Sequence, residues 1–413
     1  MRTIVKNIIH LFPSFLQRWI FDLIEFYYSP RIPRAKKTLR VPGKKNILFY
    51  HISGLSFGGT EKFLQILAKY SNKGKYNVFF MYSSQPRGAD LSKKMNGRLS
   101  YLKESGVTLI ECSYGHMEQK FPYNISGVEP HILKVISDNN IALFITAGSG
   151  YAEFPINTIR TVPIILINIF GSPIRQKNVV KNICISYAVK EKTDPITRKE
   201  TLEVMYIPSE GPDIEAVLRG KELRQKLNIP DNAFVCGRIG RPDNRIFDPI
   251  GINAFKKVVK EDRTVHYLIV SPPPALVKIV SDEHIPNVHF VPPVSEEKDI
   301  WAFHAAIDCL AHFRLDGESC GLNIIEAMLS KKPVISHKSK QWNAHLEYLD
   351  SEFSRVAEID DSEKYAEYIR EFAKEKQSKA LQKMGEAAHA KARDIALIDT
   401  QIIRFESWVD EIK

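Results

Sequence analysis

Short apolar runs recur along the chain and alternate with longer segments in which apolar residues return every three or four positions. Runs of the first kind predict buried strands, and the second pattern predicts amphipathic helices. In the first half of the chain, helices are predicted at residues 61–73 and 129–139. Strands are predicted at residues 46–52, 77–83, 107–112, 141–146, 163–170 and 182–186. Such alternation indicates a parallel sheet with helices on both faces.

A second series of the same kind occupies the second half of the chain. Its predicted strands are residues 233–240, 265–271, 287–292, 307–313 and 333–336. The α/β fold class predicted by two such series is two Rossmann-like doubly wound domains facing each other across a cleft. Pro and Gly cluster in YIPSEGPD and predict the boundary there. We expect an N-terminal domain at 45–208, a C-terminal domain at 209–392, and a C-terminal helix at 393–413 that packs back on the N-terminal domain.

The first 44 residues differ from both domains and form an N-terminal extension. From Ile4 to Tyr28, the polar residues fall within an arc of roughly 160° when the chain is plotted as a helix. This pattern predicts an amphipathic helix, kinked or divided at Pro13. The segment lacks the uninterrupted apolar core and the cleavage site of a secretory signal. No run of 18 apolar residues occurs, so no membrane span is expected.

The positive charge is concentrated at the start of the chain. The first 60 residues carry +8 of the net charge of +10, and no acid lies between Phe26 and Thr60. An amphipathic helix followed by a basic run is typical of a segment that lies on an anionic membrane, where each Lys or Arg adds about 1 kcal/mol. We expect residues 4–45 to bind the inner, cytoplasmic face of a membrane; packing of the helix on a domain is the alternative. The nearly neutral remainder argues against a nucleic-acid partner.

The cysteines do not predict a disulfide framework or a zinc site. They are odd in number, far apart in sequence and never in a CxxC pair. This usage is typical of buried thiols in a reducing compartment. The five positions are Cys112, Cys184, Cys236, Cys309 and Cys320.

Each predicted domain has a glycine-rich turn between a strand and a helix. In the first domain, HISGLSFGGTEKF turns through Gly58 and Gly59 and opens a helix at Thr60. Glycine permits close approach of the backbone to a ligand, and the exposed N–H groups at a helix start favour an anion. The alternative is a tight turn with Thr60 as the N-cap.

In the second domain, FVCGRIGRPDN leaves a strand at Gly240. The loop places Arg241 and Arg245 at the carboxyl edge of the sheet, where ligands of doubly wound domains bind. Guanidinium groups at this edge can hold a diphosphate through paired hydrogen bonds. An exposed arginine with a surface partner is the alternative for each.

A further segment, RLDGESCGLNIIEAMLSKKPVIS, predicts a loop, a helix and a strand. Gly321 lets a ligand approach the first turn of the helix, whose free N–H groups and positive dipole end suit a phosphate. Glu318 on the loop and Glu326 within the helix can face one cavity at different depths. A diphosphate between them would place a sugar near one acid and a ribose near the other.

These segments together resemble a known family. DGESCGLNIIEAM resembles the E-x7-E signature of retaining glycosyltransferases of family 4, which have the GT-B architecture. SFGGTEKF is similar to that family's first-domain glycine turn, and FVCGRIGRPDN is similar to its phosphate-binding Gly-Arg segment. ICISYAVKEK resembles the segment before the domain junction. The resemblance covers roughly residues 45–410.

The resemblance implies a nucleotide-sugar donor held mainly by the second domain, and sugar transfer with retention at the anomeric carbon. It implies that Glu318 contacts the donor sugar, that Glu326 binds the ribose, and that Arg241 and Arg245 stabilise the leaving diphosphate. The turn of the first domain would complete the phosphate site when the domains close. The remaining implied donor-binding residues are Ser319, Cys320, Gly321, Leu322, Asn323, Gly58, Gly59 and Thr60.

The chain departs from the family pattern in two places. The family usually has a Lys about five residues after its Gly-Arg pair, whereas the nearest base here is Arg245, at four. The family's acceptor-side His is absent from FITAGSG and INIFGSP, where Asn168 is the nearest polar substitute. In the same-face mechanism that the resemblance implies, a departing phosphate oxygen takes the acceptor proton.

No cofactor and no essential metal are expected. No DxD motif follows a strand in either half of the chain. His51, His312 and His345 lack the spacing of metal ligands and are predicted to have local structural roles.

The sequence favours a glycosyltransferase that uses a nucleotide sugar to extend a glycan or lipid-linked acceptor, such as an envelope polysaccharide, at the cytoplasmic membrane surface. Two other classes stay open: a nucleotide-sugar epimerase or phosphorylase on the same fold, and a catalytically silent nucleotide-sugar-binding scaffold. An epimerase would need a cluster of acid and base residues in the first domain, and none is found. The missing His favours the scaffold, whereas Glu318, Glu326 and Arg241 argue against it.

Overall fold

The structure is a computed structural model. It describes residues 43–51, 53–83, 98–112, 129–148, 159–171, 176–193, 201–294 and 296–412, together with Leu16 and Ile156. The predicted amphipathic helix therefore lies outside the described residues apart from Leu16. No helix in the described ranges is long and apolar enough to cross a membrane.

The chain divides into two compact units. The first unit contains the residues up to Met205 and, in addition, those from Ile402 onwards; the second is Tyr206–Gln401. The division between Met205 and Tyr206 coincides with the start of the YIPSEGPD segment.

The first unit contains a seven-stranded sheet with the order β3-β2-β1-β4-β5-β6-β7, in which all neighbours are parallel. The strands are β1 (Lys45–Tyr50), β2 (Tyr76–Ser83), β3 (Thr108–Cys112), β4 (Leu143–Gly148), β5 (Ile164–Asn168), β6 (Val179–Cys184) and β7 (Leu202–Val204). Its described helices are α1 (Gly59–Tyr70), α2 (Leu99–Lys103), α3 (Glu129–Asp138) and α4 (Tyr187–Lys192). The central strands are buried on both faces, which explains their continuous apolar sequences.

The second unit contains a six-stranded parallel sheet with the order β10-β9-β8-β11-β13-β15. Its strands are β8 (Phe234–Ile239), β9 (Val265–Val270), β10 (Val288–Val291), β11 (Cys309–Ala311), β13 (Val334–His337) and β15 (Ser354–Ala357). A separate parallel pair consists of β12 (Gly317–Glu318) and β14 (Trp342–Asn343). The helices are α5 (Ala216–Lys226), α6 (Ile250–Glu261), α7 (Pro274–Asp282), α8 (Glu297–Ala306), α9 (Leu322–Leu329), α10 (Ser362–Ser378) and α11 (Ala380–Ala396).

The last helix, α12 (Ile398–Glu411), contacts the first sheet. The ring of Phe405 lies 6.1 Å from that of Phe49 on β1, measured between centroids. The ammonium group of Lys45, at the start of β1, donates hydrogen bonds of 2.6 Å to the carbonyls of Val409 and Ile412. The C-terminal turn of α12 is thereby capped by a cation, which its dipole favours.

The predicted fold class, two doubly wound Rossmann-like domains in tandem, is confirmed. Every predicted strand is present, with shifts at its ends, while β7, β12, β14 and β15 were not predicted because their sequences contain no continuous apolar run. In each sheet the strand order reverses at one point: between β1 and β4 in the first, and between β8 and β11 in the second. Ligands of doubly wound domains bind at the carboxyl ends of the strands there.

The cysteine prediction is confirmed for the four cysteines whose side chains are described. Cys184, Cys236, Cys309 and Cys320 are buried free thiols. Burial raises the pKa of Cys320 to about 12, so its thiol stays protonated at neutral pH.

Candidate functional site

The reversal point of the second sheet brings three predicted segments together: the loop after β8, the loop after β11, and the start of α9. The side-chain amide of Asn323, in the first turn of α9, donates a 2.9 Å hydrogen bond to the carbonyl of Ile239 at the end of β8. The backbone amide of Leu315 donates a 3.0 Å bond to the carbonyl of Ile246. These two bonds fix the three segments against one another.

The start of α9 requires glycine. Gly321 is the N-cap residue and has φ 84° and ψ 51°, in the left-handed region. The hydroxyl of Tyr348 donates a 2.7 Å hydrogen bond to the carbonyl of Cys320, and a Cβ atom on Gly321 would lie 2.5 Å from that hydroxyl. Both the backbone angles and the available space therefore exclude a larger residue.

The first amides of α9 are open to a ligand. Within the described part of the chain, the backbone N–H groups of Gly321, Leu322 and Asn323 donate to no acceptor, and no side chain caps the helix. The amide of Ile324 is already bonded, to the carbonyl of Gly321 at 3.0 Å. Three open amides at the positive end of a helix form a place for an anion.

Glu318 lies next to these amides, in β12, with 13% of its side chain exposed. Its Oε1 atom is 3.0 Å from Nε2 of His312 and 3.8 Å from Nη1 of Arg314. Burial raises the pKa of Glu318, whereas His312 and Arg314 lower it. Their combined effect is larger than that of burial, so the pKa lies below its usual value. Glu318 is therefore a carboxylate at neutral pH.

His312 was missed as a site residue. A local structural role was predicted for it, because it lacks metal-ligand spacing, whereas the structure places it in direct contact with Glu318. Its other ring nitrogen, Nδ1, is 3.3 Å from the hydroxyl of Ser336 in β13. The available signal was its position near the end of the predicted strand 307–313, at the carboxyl edge of the sheet.

Glu326 has different surroundings from Glu318. It lies in the middle of α9 and is buried, with Oε2 3.8 Å from Nε2 of His304 on α8. The ribose-binding role assigned to Glu326 stays a prediction.

The two predicted arginines differ in their contacts. The side chain of Arg245 is 88% exposed and forms paired hydrogen bonds with Asp243 in the same loop. These bonds, with a smaller contribution from the charge of Arg241, lower the pKa of Asp243 to about 2. Arg241 is exposed at the end of the β8 strand, and its guanidinium forms no hydrogen bond with the described residues. Of the two arginines, Arg241 is the one available to a ligand.

A third arginine, Arg238, was also missed. It is only 3% exposed, its guanidinium lies 4.8 Å above the ring of Phe313, and its Nε and Nη1 atoms have no hydrogen-bond partner in the described ranges. Burial lowers its pKa to about 10, so it remains a cation at neutral pH. The sequence repeats Gly-Arg at 237–238 and 240–241, and only the second pair was recognised.

The glycine turn of the first unit has a different arrangement. Helix α1 begins at Gly59 with Gly58 as the N-cap, so the alternative that made Thr60 the N-cap is wrong: the helix begins one residue before Thr60. The side chain of Glu61 bends back over the turn, and a Cβ atom on Gly58 would lie 2.0 Å from its Oε2. Its Oε1 accepts a 3.1 Å hydrogen bond from the hydroxyl of Ser56. A carboxylate of the protein thus lies against the turn for which an anion site was predicted.

Asn168, the predicted acceptor-side residue, lies at the end of β5 and is fully buried. Its side-chain oxygen accepts hydrogen bonds from the amides of Phe170, at 3.3 Å, and Gly171, at 2.8 Å. These bonds shape the turn after β5. They give Asn168 a structural role, and its role toward an acceptor stays a prediction.

No group of three or more His, Cys, Asp or Glu side chains among the described residues has the arrangement of a metal site. That no metal is essential stays a prediction.

Comparison with known proteins gives the class. Residues 230–375 match the model of a family described as Glycosyl transferases group 1. This range includes Arg241, Glu318, Gly321 and Glu326. None of the curated protein sequences compared with this chain is significantly similar to it.

Solved structures extend the likeness to most of the chain. A glycosyltransferase from Rickettsia africae ESF-5 is 15% identical with a TM-score of 0.71, over 89% of this chain and 98% of that one. HepE from Anabaena, solved in complex with UDP and glucose, is 19% identical with a TM-score of 0.65, over 89% and 100%. Sucrose-phosphate synthase from Thermosynechococcus elongatus is 13% identical with a TM-score of 0.67, over 89% and 99%. The chain therefore has the fold of GT-B glycosyltransferases, and its second domain matches their group 1 model.

Proposed function

We propose that the protein is a retaining glycosyltransferase of family 4 that moves a sugar from a nucleotide-diphosphate sugar to a glycan or lipid-linked acceptor at the cytoplasmic membrane surface. One observation carries the proposal: three open amides at the start of α9 follow closely on the carboxylate residue Glu318, whose Cβ lies 3.6 Å from the position of a Cβ on Gly321. A sugar diphosphate needs both, a place for its phosphate charge and an anion near its anomeric carbon. The match of residues 230–375 to group 1 glycosyltransferases supports the same assignment.

The donor is proposed to bind through its phosphates. The amides of Gly321, Leu322 and Asn323 would hold the phosphate next to the sugar, and Arg241 would neutralise the charge that grows as the phosphate leaves. Arg245 would contribute less, because its guanidinium is engaged with Asp243. The complexes of HepE with UDP and glucose support a nucleoside diphosphate sugar as the class of donor.

The transfer step follows from this placement. The bond between the anomeric carbon and the phosphate oxygen breaks, and its electron pair stays on the phosphate. The acceptor hydroxyl attacks from the same face, and its proton passes to the departing phosphate oxygen. Glu318 would stabilise the positive charge that develops at the anomeric carbon, because a carboxylate close to a developing cation lowers the barrier.

The remaining residues are proposed to act away from the reacting atoms. Glu326 is proposed to bind the ribose hydroxyls. No metal is assigned a role. The basic amphipathic residues 4–45 would hold the enzyme at the membrane surface, where a lipid-linked acceptor is found.

The test compares Glu318→Gln with the unaltered protein. The substitution keeps the size of the side chain and removes its charge, so we expect turnover of the nucleotide sugar to fall about 1000-fold or more. The Kd of the matching nucleoside diphosphate should stay within about twofold, because that ligand lacks the sugar. A thermal-shift screen of nucleoside diphosphates identifies the base first, since a ligand raises Tm by mass action.

Glu363→Gln is the matched control, because it makes the same change at an exposed glutamate of α10 that is paired with Lys257. Its turnover should remain within about threefold of the unaltered protein. Full turnover by Glu318→Gln would contradict the proposal, as would the failure of every nucleoside diphosphate to bind. Consumption of the nucleotide sugar without an acceptor would favour an epimerase instead.

A further inference from the structure

We propose that His312 is a positioning residue that holds Glu318 by one oxygen and leaves the other oxygen free for the donor sugar. This inference rests on the proposed function of Glu318. It concerns a histidine that was predicted to have only a local structural role.

The backbone of His312 is fixed on both sides. Its amide donates a 2.8 Å hydrogen bond to the carbonyl of Ile335 on β13, and its carbonyl accepts a 2.9 Å bond from the hydroxyl of Tyr365 on α10. The side chain is only 4% exposed. Since the backbone is anchored and the ring is enclosed, the imidazole has little freedom to leave Glu318.

The hydrogen bonds define which ring nitrogen carries the proton. Glu318 is a carboxylate and can only accept, so Nε2 of His312 is the donor in the 3.0 Å contact. The other ring nitrogen, Nδ1, lies 3.3 Å from the hydroxyl of Ser336, which can donate to it or accept from it. This contact holds the ring in the orientation that directs Nε2 at Glu318.

The two oxygens of Glu318 have different surroundings. Oε1 receives the hydrogen bond from His312 and lies 3.8 Å from Nη1 of Arg314. Oε2 accepts no hydrogen bond from any residue that the structure describes. The carboxylate is therefore held at one oxygen, and Oε2 is the atom assigned to the anomeric centre.

Other charged and titratable groups surround this pair. The ring of His345 lies 6.0 Å from that of His312, and burial lowers the pKa of His345 to about 4, which keeps it neutral. His337 on β13 is also kept neutral, because burial lowers its pKa. The cations that face Glu318 are Arg314 and the buried Arg238. None of these groups donates a hydrogen bond to either oxygen of Glu318, so among the described residues His312 has no substitute as its donor.

The experiment compares His312→Gln with His312→Leu. The amide nitrogen of Gln is as many bonds from the backbone as Nε2 of His, so it can replace the lost donor, whereas Leu cannot. We expect His312→Leu to lower kcat about 100-fold, the usual effect of a reacting group displaced by about 1 Å. His312→Gln should recover kcat to within about fivefold of the unaltered protein. KM for the nucleotide sugar and Kd for the nucleoside diphosphate should change less than about twofold in both.

A pH profile separates positioning from a merely structural role. Burial raises the pKa of Glu318, and His312 lowers it. Removing the histidine must therefore move the pKa of Glu318 upward. Glu318 acts as the carboxylate, and activity is lost as the pH falls through its pKa. In His312→Leu, the acidic limb of kcat/KM should therefore move to higher pH, and in His312→Gln it should move less.

His266→Leu and His266→Gln are the matched controls. His266 is a buried histidine near the start of β9, at the opposite edge of the same sheet, and it is hydrogen-bonded to His289 at 2.9 Å. Its variants should keep kcat and the pH profile. If His312→Leu does not fold, Ser336→Ala tests the same inference, because it removes the hydroxyl that contacts Nδ1 of His312. Its kcat should fall about threefold to tenfold at unchanged Tm.

Three outcomes would overturn the inference. They are an unchanged kcat in folded His312→Leu, an equal loss in the Gln and Leu variants at equal Tm, and a loss of nucleoside diphosphate affinity in proportion to kcat. An active Glu318→Gln variant refutes the proposed function itself. An inactive Glu318→Gln variant together with an active His312→Leu variant refutes only the role of His312.

Discussion

The glycine turns at the starts of α1 and α9 differ in their chemistry. Both open a helix at the carboxyl edge of a doubly wound sheet. At the start of α1, the carboxylate of Glu61 bends over Gly58. At the start of α9, three amides after Glu318 have no acceptor among the described residues. A glycine turn alone therefore does not define an anion site; the residues of the first helical turn decide whether one is open.

The difference has an energetic side. An acid in the first turn of a helix stabilises it by about 0.3–1 kcal/mol through the helix dipole. Helix α1 has this stabilisation through Glu61, whereas the first turn of α9 contains no acid. The start of α9 therefore lacks the stabilisation that an acid would provide. Such a local loss of stability is often found at functional sites.

The largest effect is expected from alanine at the two N-cap glycines. Gly321 has φ 84° and faces the hydroxyl of Tyr348, so Gly321→Ala should lower the free energy of unfolding by about 1–3 kcal/mol. The affinity of the Gly321→Ala variant for the nucleoside diphosphate should fall about tenfold or more. Gly58 has φ −67°, which alanine adopts readily, and only the flexible end of Glu61 must move. Gly58→Ala should change the free energy of unfolding by less than about 0.5 kcal/mol and leave affinity unchanged.

Urea denaturation and isothermal titration calorimetry measure both quantities. Equal losses of affinity in the two variants would remove the distinction between the turns.

An intermediate effect is expected when an acid is placed in the first turn of α9. Asn323→Asp keeps the size of the side chain, but it removes the donor to Ile239 and adds a negative charge where the phosphate is proposed to bind. Affinity for the nucleoside diphosphate should fall about tenfold, or about 1.4 kcal/mol, because like charges repel. Titration calorimetry at two salt concentrations checks this, because the loss should be smaller at high salt. Asn323→Ala, which removes the donor without adding charge, is the control and should lose less affinity.

The smallest effect is expected from Glu61→Gln in the first unit. The variant loses the charge at the helix start but keeps an oxygen for Ser56. The free energy of unfolding should fall by about 0.3–1 kcal/mol, and affinity for the nucleoside diphosphate should not change. An increase in that affinity would show that Glu61 competes with a phosphate, and the two turns would then share a function.

Features that depend on a local sequence pattern could be predicted. Buried parallel strands have continuous apolar runs, so both sheets could be predicted, and the spacing of Glu318, Gly321 and Glu326 identified a helix start beside an acid. The strands β7 (LEV) and β15 (SRVA) contain charged residues and give no such apolar run.

Contacts between distant positions could not be predicted in this way. The role of His312 depends on Ser336, 24 residues away, and the restriction at Gly321 depends on Tyr348, 27 residues away. Arg238 lies inside an apolar strand sequence, and only the fold shows that its side chain is buried over Phe313. Glu61 has an ordinary position in a first helical turn, so its bend over Gly58 was visible only in three dimensions.

The capped helix α12 affects how the protein can be divided into fragments. Tyr206–Gln401 is an uninterrupted stretch that contains the whole second unit. The first unit is discontinuous, because Lys45 near its beginning holds carbonyls near the very end of the chain. Expressed without the C-terminal helix, it would leave Phe49 uncovered on the side where Phe405 packs, and a fusion partner joined at the C-terminus would sit on the first unit, not on the second.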